Sequence, residues 1–236
     1  MIKKGVLRVW NATVLSLFPE MFPGTLDFSI SGKALKKGLW SLKKINIRDF
    51  SNDKNGKVDD VPFGGGHGMV LKPEVLDKAL KSVAYDKGPR IYLSPRGRKF
   101  DQSFAKELSK EKGVVFICGR YEGVDERFLN HNDIQEVSVG DYILSGGEIG
   151  AQLIMDATIR LLPNVIGNSK GLIEESFEGG LLEYPLYTQP RVWNGIEVPE
   201  VLISGDHKKI EMWKIKMSEE ITKSKRPDLW SKYLKS

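Results

Sequence analysis

The hydrophobic positions of this chain form short apolar runs that alternate with segments of helical period. Five segments predict strands, at residues 14–18, 42–47, 90–94, 114–117 and 134–139. Those at 14–18 and 114–117 are typical of buried strands. Between the five segments, apolar side chains recur every three or four positions, which predicts helices at residues 32–39, 73–83 and 147–162, and one more after an N-cap at Asp101. Strands that alternate with helices in this way predict an α/β fold with a mostly parallel sheet flanked by helices.

The pattern changes in the last third of the chain. Residues 164–180 lose periodicity and are rich in Gly, Asn, Ser and Glu, as is typical of a linker. Beyond them, Ile210, Trp213, Met217 and Ile221 fall on one face of a basic helix that Asp206 would cap. We therefore expect a cofactor-binding α/β domain at residues 1–163, a flexible linker at 164–180 and a small helical domain at 181–236.

The charge of the chain suggests an anionic partner. Of 236 residues, 40% are hydrophobic and 28% charged, which is ordinary for a globular protein, and the net charge is +5. Residues 207–236 hold nine Lys or Arg against four Asp or Glu, so this segment carries the whole surplus. Such a basic segment is either an ordinary solvated face or a surface for nucleic acid.

The sequence also argues against a disulfide, a metal site, a membrane span and a signal peptide. The single cysteine, Cys118, excludes an intramolecular disulfide and a multi-cysteine zinc site, and the three histidines lie far apart in sequence, so no metal site is expected. No apolar run approaches the roughly 18 residues that span a bilayer. Arg8, Asn11 and Thr13 interrupt any signal-peptide core, and we expect a cytoplasmic protein.

Two glycine-rich loops, at residues 119–123 and 140–147, each follow an apolar run and precede a helical pattern. Glycine is common where backbone turns tightly or approaches a ligand closely. Neither loop has the spacing of a dinucleotide-binding fingerprint or of a P-loop. The loops therefore predict a different small-molecule pocket, built largely from backbone.

Several longer strings resemble the motifs of one family. YLSPRGR at residues 92–98, CGRYEGVDER at 118–127 and SVGDYILSGGE at 138–148 resemble those of the bacterial tRNA (guanine-N1) methyltransferases, the TrmD family of the knotted SPOUT class. Further matches are LFPEMF at residues 17–22, VDD at 58–60, GGG at 64–66, YT at 187–188 and VLISG at 201–205. The resemblance therefore runs nearly from end to end.

The resemblance implies a fold, a reaction and its partners. The fold would be a SPOUT-type trefoil knot, and the reaction methylation of N1 of guanosine at tRNA position 37, next to the anticodon. The methyl donor would be S-adenosylmethionine, with magnesium as an assisting ion. The active site would lie at the subunit interface of a homodimer, and the basic C-terminal helix would contact tRNA phosphates.

The resemblance also assigns the cofactor-binding residues, all in the three loops that carry the motifs. They are Tyr92, Leu93, Ser94, Pro95, Gly119, Tyr121, Glu122, Gly123, Ser138, Val139, Gly140, Tyr142, Leu144, Gly146 and Gly147. For any one of these loops taken alone, an ordinary turn would be the favoured interpretation, and it is the match of three loops in order that favours cofactor binding. The Glu122 carboxylate suits the ammonium group of the cofactor, or else it is a surface acid at a helix start.

The chemistry needs a base and a cation. A base must take the proton of guanine N1, and a cation can stabilise the negative charge that develops towards O6. The resemblance places Arg160 as the cation, although an arginine at a helix C-terminus also suits the helix dipole. As the base, the family has an aspartate before a Ser-Phe pair; here that position is Glu175, one methylene longer, with Glu174 as a neighbouring rival.

The resemblance assigns substrate contacts to Asp59 and Ser176, although Asp59 also suits an Asx turn. The sequence departs from the family pattern at several other positions: His67, Gly150, Glu183, Leu186 and Gln189. Two other readings stay open. One is a SPOUT enzyme that methylates a ribose 2′-hydroxyl, and the other is a non-catalytic RNA-binding protein with a vestigial pocket.

Overall fold

The computed structural model describes residues 8–84, 88–167 and 174–235. The chain divides into two compact units, residues 1–167 and 168–236. The predicted linker at 164–180 includes residues 168–173, which lie outside the described residues. Residues 164–167 belong to the first unit and residues 174–180 to the second.

The first unit contains a five-stranded sheet and a separate two-stranded one. In chain order the strands are β1 Trp10–Ser16, β2 Trp40–Asn46, β3 Asp59–Asp60, β4 Val70–Leu71, β5 Arg90–Lys99, β6 Gly113–Ile117 and β7 Gln135–Ser138. The large sheet has the order β2-β1-β6-β5-β7, and every neighbouring pair is parallel. The strands β3 and β4 pair antiparallel. The predicted α/β fold with a mostly parallel sheet is confirmed.

Helices cover both faces of the large sheet. They are α1 Ser29–Lys36, α2 Pro73–Lys81, α3 Gln102–Lys110, α4 Glu126–His131 and α5 Gly147–Ile159. Successive residues of β6 point to opposite faces, so Phe116 packs in a cluster with Phe104 of α3 and Ile154 of α5. Its neighbour Ile117 packs in the other cluster, with Leu76 of α2. All residues of β6 are buried, as expected of a central parallel strand.

Five predicted strands and four predicted helices in this unit are confirmed, with shifted ends. The first strand begins at Trp10 rather than residue 14, because polar Thr13, although buried, interrupts the apolar pattern. The long helix ends at Ile159 rather than residue 162, and Arg160 is its C-cap. Asp101 caps α3 as predicted, since its side chain accepts a hydrogen bond from the N–H of Phe104. The short helix α4 was not predicted.

The second unit contains a hairpin and three helices. The hairpin strands are β8 Val192–Trp193 and β9 Ile196–Glu197, and the helices are α6 Glu200–Ile203, α7 His207–Lys225 and α8 Pro227–Tyr233. Asp206 caps α7 as predicted, accepting from the backbone of Lys208 and Lys209. Trp213 is half-buried and packs against Tyr187, with ring centroids 6.3 Å apart. In the described part of the chain, no helix is long and apolar enough to cross a membrane.

Candidate functional site

A pocket of about 280 Å³ lies where β5, β6 and β7 of the parallel sheet pass into loops. This carboxyl edge of the strands is where open α/β sheets usually bind ligands. All fifteen residues that the sequence assigns to cofactor binding line this one pocket. The residues that line it without having been predicted are Arg120, Val137, Ile143, Ser145 and Gly150. Three loops that are separated in sequence therefore form the wall of a single pocket.

Two glycines of the pocket are needed because neighbouring groups approach too closely for a side chain. A Cβ on Gly119 would lie 2.8 Å from Cε2 of Tyr92, and one on Gly147 would lie 2.9 Å from Cα of Cys118. The N–H of Gly147 also donates to the carbonyl of Gly119 at 3.0 Å. The two glycine loops are therefore in direct backbone contact, and a methyl group on Gly147 would push them apart, whereas one on Gly119 would collide with the Tyr92 ring.

The aromatic side chains of the pocket differ in burial. Tyr92 is buried beneath the loops, and burial raises the pKa of its phenol. Tyr121 and Tyr142 are about half exposed, and Tyr121 has a φ of 59°. The Tyr142 hydroxyl donates to the carbonyl of Val139 at 3.0 Å. The pocket therefore presents exposed aromatic surface that is suited to a flat heterocycle.

Only two charged side chains, Arg120 and Glu122, are among the described residues that line the pocket. Glu122 is exposed and lies in a turn, and α4 begins only at Glu126, so Glu122 is a surface acid that does not lie at a helix start. Within the described residues, the Glu122 carboxylate has no ion-pair or hydrogen-bond partner. It is therefore available to a cationic group of a ligand.

Arg120, which lines the pocket and is partly exposed, forms an ion pair with a buried glutamate. The Nε of Arg120 lies 3.0 Å from Oε2 of Glu148, a carboxylate with no solvent exposure. The hydroxyl of Ser16, at the end of β1, donates to Oε1 of Glu148 at 2.6 Å. Burial, and then the Glu148 carboxylate, raises the pKa of the neighbouring Cys118 thiol. Sequence reasoning missed this network, although both charged residues stand inside the quoted motifs.

Arg120 is held by further contacts on its other side. Its Nη1 donates to the carbonyl of Ser145 at 3.2 Å, and its Nη2 lies 3.3 Å from Sδ of Met21. The guanidinium carbon lies 4.6 Å from the ring centre of Phe18, a cation–π distance. Arg120 thus joins the first glycine loop, of which it is part, to Ser145 of the second.

The other predicted site residues do not line this pocket. Asp59 and Arg160 belong to the first unit, Asp59 in β3 and Arg160 as the half-buried C-cap of α5. Glu175 and Ser176 belong to the second unit. There the Ser176 hydroxyl accepts a hydrogen bond from the N–H of Glu183 at 3.0 Å.

The two neighbouring glutamates of the second unit have different surroundings. Glu174 accepts a hydrogen bond from the Tyr184 hydroxyl at 2.6 Å and from Nζ of Lys214 at 2.9 Å. The Lys214 ammonium, and then the Tyr184 hydroxyl, lowers the pKa of Glu174. Glu175 is half-buried and borders a recess of about 150 Å³ that Glu178 also lines.

A sequence model of one family matches almost the whole chain. It is described as tRNA (guanine-1)-methyltransferase TrmD and matches residues 10–232. The chain belongs to this family.

Individual relatives agree with this assignment. Proteins named tRNA (guanine-N(1)-)-methyltransferase are 53% identical to this chain in Rhodospirillum rubrum and 52% identical in Pelagibacter ubique. The first alignment covers 95% of this chain and 94% of the relative, and the second covers 97% and 100%. A relative of the same name in Ruegeria pomeroyi is 52% identical over 95% of this chain and 94% of its own length.

Membership of a methyltransferase family implies S-adenosylmethionine as the methyl donor, and the pocket fits this molecule. The glycine wall provides backbone donors and acceptors at positions where a side chain would collide. The exposed rings of Tyr121 and Tyr142 suit adenine, and Glu122 suits an ammonium group. A volume of about 280 Å³ is close to the lower end of the range for small-molecule sites. In the described part of the chain, no three His, Cys, Asp or Glu side chains cluster as a metal site would need.

Proposed function

We propose that this protein methylates N1 of guanosine at position 37 of tRNA, next to the anticodon, in the cytoplasm. One observation supports this proposal more strongly than any other. The three loops that match the family's motifs converge on a single pocket, which is lined by all fifteen residues assigned to the cofactor. The named relatives share about half of their residues with this chain along nearly their whole length, which favours guanine N1 over a ribose hydroxyl.

S-adenosylmethionine supplies an electrophilic methyl group on a sulfonium when it is bound. The chain's own part is to hold and orient it, and the loops do this mainly with backbone groups. We assign the Glu122 carboxylate to the ammonium group, because an oppositely charged partner gives a strong hydrogen bond. The buried Tyr92 supports the glycine loops from beneath, since its ring contacts the positions of both Gly119 and Gly123.

Glu175, rather than Glu174, is the base in this proposal. The ion pair with Lys214 and the hydrogen bond from Tyr184 stabilise the charged form of Glu174, which makes it a weaker base. The resemblance to the family also places its aspartate base at the position of Glu175. It would take the N1 proton of guanine onto a carboxylate oxygen as N1 accepts the methyl group, and the electron pair of the broken carbon–sulfur bond would stay with the leaving thioether. Arg160 would stabilise the negative charge that moves towards O6.

Asp59 and Ser176 are the proposed contacts to the guanine base. Asp60, next in sequence, is paired with Lys57 at 3.1 Å and Lys72 at 3.3 Å. Within the described residues, the half-exposed Asp59 has no such partner and lies in a strand rather than an Asx turn. Its carboxylate can therefore accept hydrogen bonds from the N–H groups of guanine. The hydroxyl hydrogen of Ser176 remains available as a donor, because its oxygen is the acceptor for Glu183.

The trefoil knot and the homodimer are also part of the proposal. The knot is supported by the family and by a sheet order in which β6 lies between β1 and β5. The dimer is supported by apolar side chains that the first unit leaves exposed beside the pocket, Ile143, Ile149 and Leu153. A subunit interface over this surface would bury them and complete the site.

The test uses S-adenosylmethionine labelled in its methyl group and tRNA transcripts that differ only at position 37. Label should enter transcripts with guanosine at that position and no others, and the product should be 1-methylguanosine. Glu175→Gln should abolish turnover while leaving the Kd for S-adenosylmethionine unchanged. Glu174→Gln is the matched control and should retain most activity. Near-normal turnover by Glu175→Gln, or label in a ribose, would contradict the proposal.

A further inference from the structure

The charge of the cofactor pocket depends on a residue that does not line it. The lining contributes one positive charge from Arg120 and one negative charge from Glu122, so these two would cancel. Glu148, buried behind the wall and 3.0 Å from Arg120, adds a second negative charge. With it, the formal charges of these three side chains sum to −1.

S-adenosylmethionine and its product, S-adenosylhomocysteine, differ in a matching way. The donor has a positively charged sulfonium, whereas the product has a neutral thioether, and the two molecules are otherwise the same apart from the methyl group. An uncompensated arginine in the pocket wall would therefore repel the donor and leave the product almost unaffected. An arginine guanidinium remains charged in proteins, so this repulsion would persist.

We propose that Glu148 is a specificity-determining residue, which keeps the pocket selective for the charged methyl donor over the demethylated product by neutralising Arg120. The inference rests on the proposed function only in taking S-adenosylmethionine as the ligand. Glu148 acts through Arg120 and the field in the pocket, so it is a positioning and charge-balancing residue rather than a catalytic one.

The contacts around Arg120 indicate that Glu148 affects the charge of the pocket and not only its shape. The pair lies directly against the pocket wall, since a Cβ on Gly146 would collide with Nε of Arg120 and Oε2 of Glu148. Arg120 has contacts that do not involve Glu148, namely the Ser145 carbonyl, the Phe18 ring and Met21 Sδ. Removing the carboxylate charge therefore leaves the guanidinium in place and unpaired. Because Glu148 is wholly buried, solvent and salt screen its charge only weakly.

The test is calorimetric binding of both ligands to the full-length protein, with no tRNA present. In Glu148→Gln, which keeps the size of the side chain and one acceptor oxygen for Ser16, the Kd for S-adenosylmethionine should rise about tenfold more than the Kd for S-adenosylhomocysteine. An equal change for the two ligands would overturn the proposal and leave Glu148 with a role in shape only.

Ser16→Ala is the matched control. It removes the hydrogen bond to Oε1 of Glu148 without changing any charge, so both Kd values should change by the same factor. The double variant Arg120→Gln/Glu148→Gln removes both charges, and its ratio of the two Kd values should return towards that of the wild type. A double variant as unselective as Glu148→Gln would also contradict the proposal.

Another variant, Arg120→Met, tests the proposal if Glu148→Gln does not fold. Arg120→Met removes the positive charge from the other side of the pair, so selectivity for S-adenosylmethionine should be equal to or higher than that of the wild type. A fall in selectivity would overturn the inference. Wild-type protein that binds neither ligand would instead refute the proposed function, and wild-type protein that binds both but does not methylate tRNA would leave the charge test intact.

Discussion

Replacing Gly147 with alanine should weaken binding of S-adenosylmethionine while the protein still folds. In the structure, the added Cβ would lie 2.9 Å from Cα of Cys118, 3.2 Å from N of Gly119 and 3.3 Å from Cβ of Leu93. Two of these atoms are backbone, so no rotamer change can relieve the contact. Carbon atoms pack well at about 3.5–4.0 Å, and the loops must therefore separate by roughly 0.6 Å or more.

Two opposing effects set the change in stability. Overpacking of this kind costs about 1–3 kcal/mol. Alanine is a better helix residue than glycine by up to about 1 kcal/mol, and Gly147 is the first residue of α5, which offsets part of the cost. We expect a net loss of about 0–2 kcal/mol in the free energy of unfolding. The effect on binding should be larger, because binding sites tolerate only about 0.5 Å of displacement. We expect at least about a tenfold rise in Kd.

The assay pairs calorimetric titration with urea unfolding monitored by circular dichroism. Gly167→Ala is the control, because its Cβ would have no neighbour within 4 Å and its backbone is not in the left-handed region. That variant should bind S-adenosylmethionine as the wild type does. If Gly147→Ala bound the cofactor as tightly as the control, the close approach of the two loops would not be what shapes the pocket.

Three further predictions concern stability. Asp101→Ala should lower the free energy of unfolding, measured in urea, by about 1 kcal/mol, because the N–H of Phe104 loses its hydrogen-bond acceptor. An unchanged free energy would mean that water replaces this hydrogen bond. Phe116→Ala, at a fully buried position, should cost about 3–5 kcal/mol by the same method, and a loss below 1 kcal/mol would show that the core can collapse around the cavity. Because Lys214 lowers the pKa of Glu174, their ion pair stabilises the second unit above the ordinary glutamate pKa of about 4.3 and is lost as the pH falls below it. Lys214→Met should therefore reduce the fall in Tm between about pH 6 and about pH 3, and an unchanged fall would contradict this.

The sequence was sufficient where the determining interactions are local. The apolar run at residues 114–117 predicts a strand that is buried throughout, because a parallel strand covered on both faces has no polar side. Asp101 and Asp206 predict helix starts, because a capping carboxylate bonds to N–H groups two or three residues away. The motifs shared with a family assign the pocket residues, since each motif lies in one continuous segment of the chain.

Interactions between distant segments were decided only by the tertiary structure. Ser16 and Glu148 are 132 residues apart and meet because the end of β1 lies beside the start of α5. Glu174 and Lys214 are 40 residues apart, and their ion pair is formed only in the folded chain. A local pattern records the type of each charged residue but not its partner. The net charge at a site is the sum of the charges of the residues that meet there. Residues far apart in sequence meet only when the chain folds.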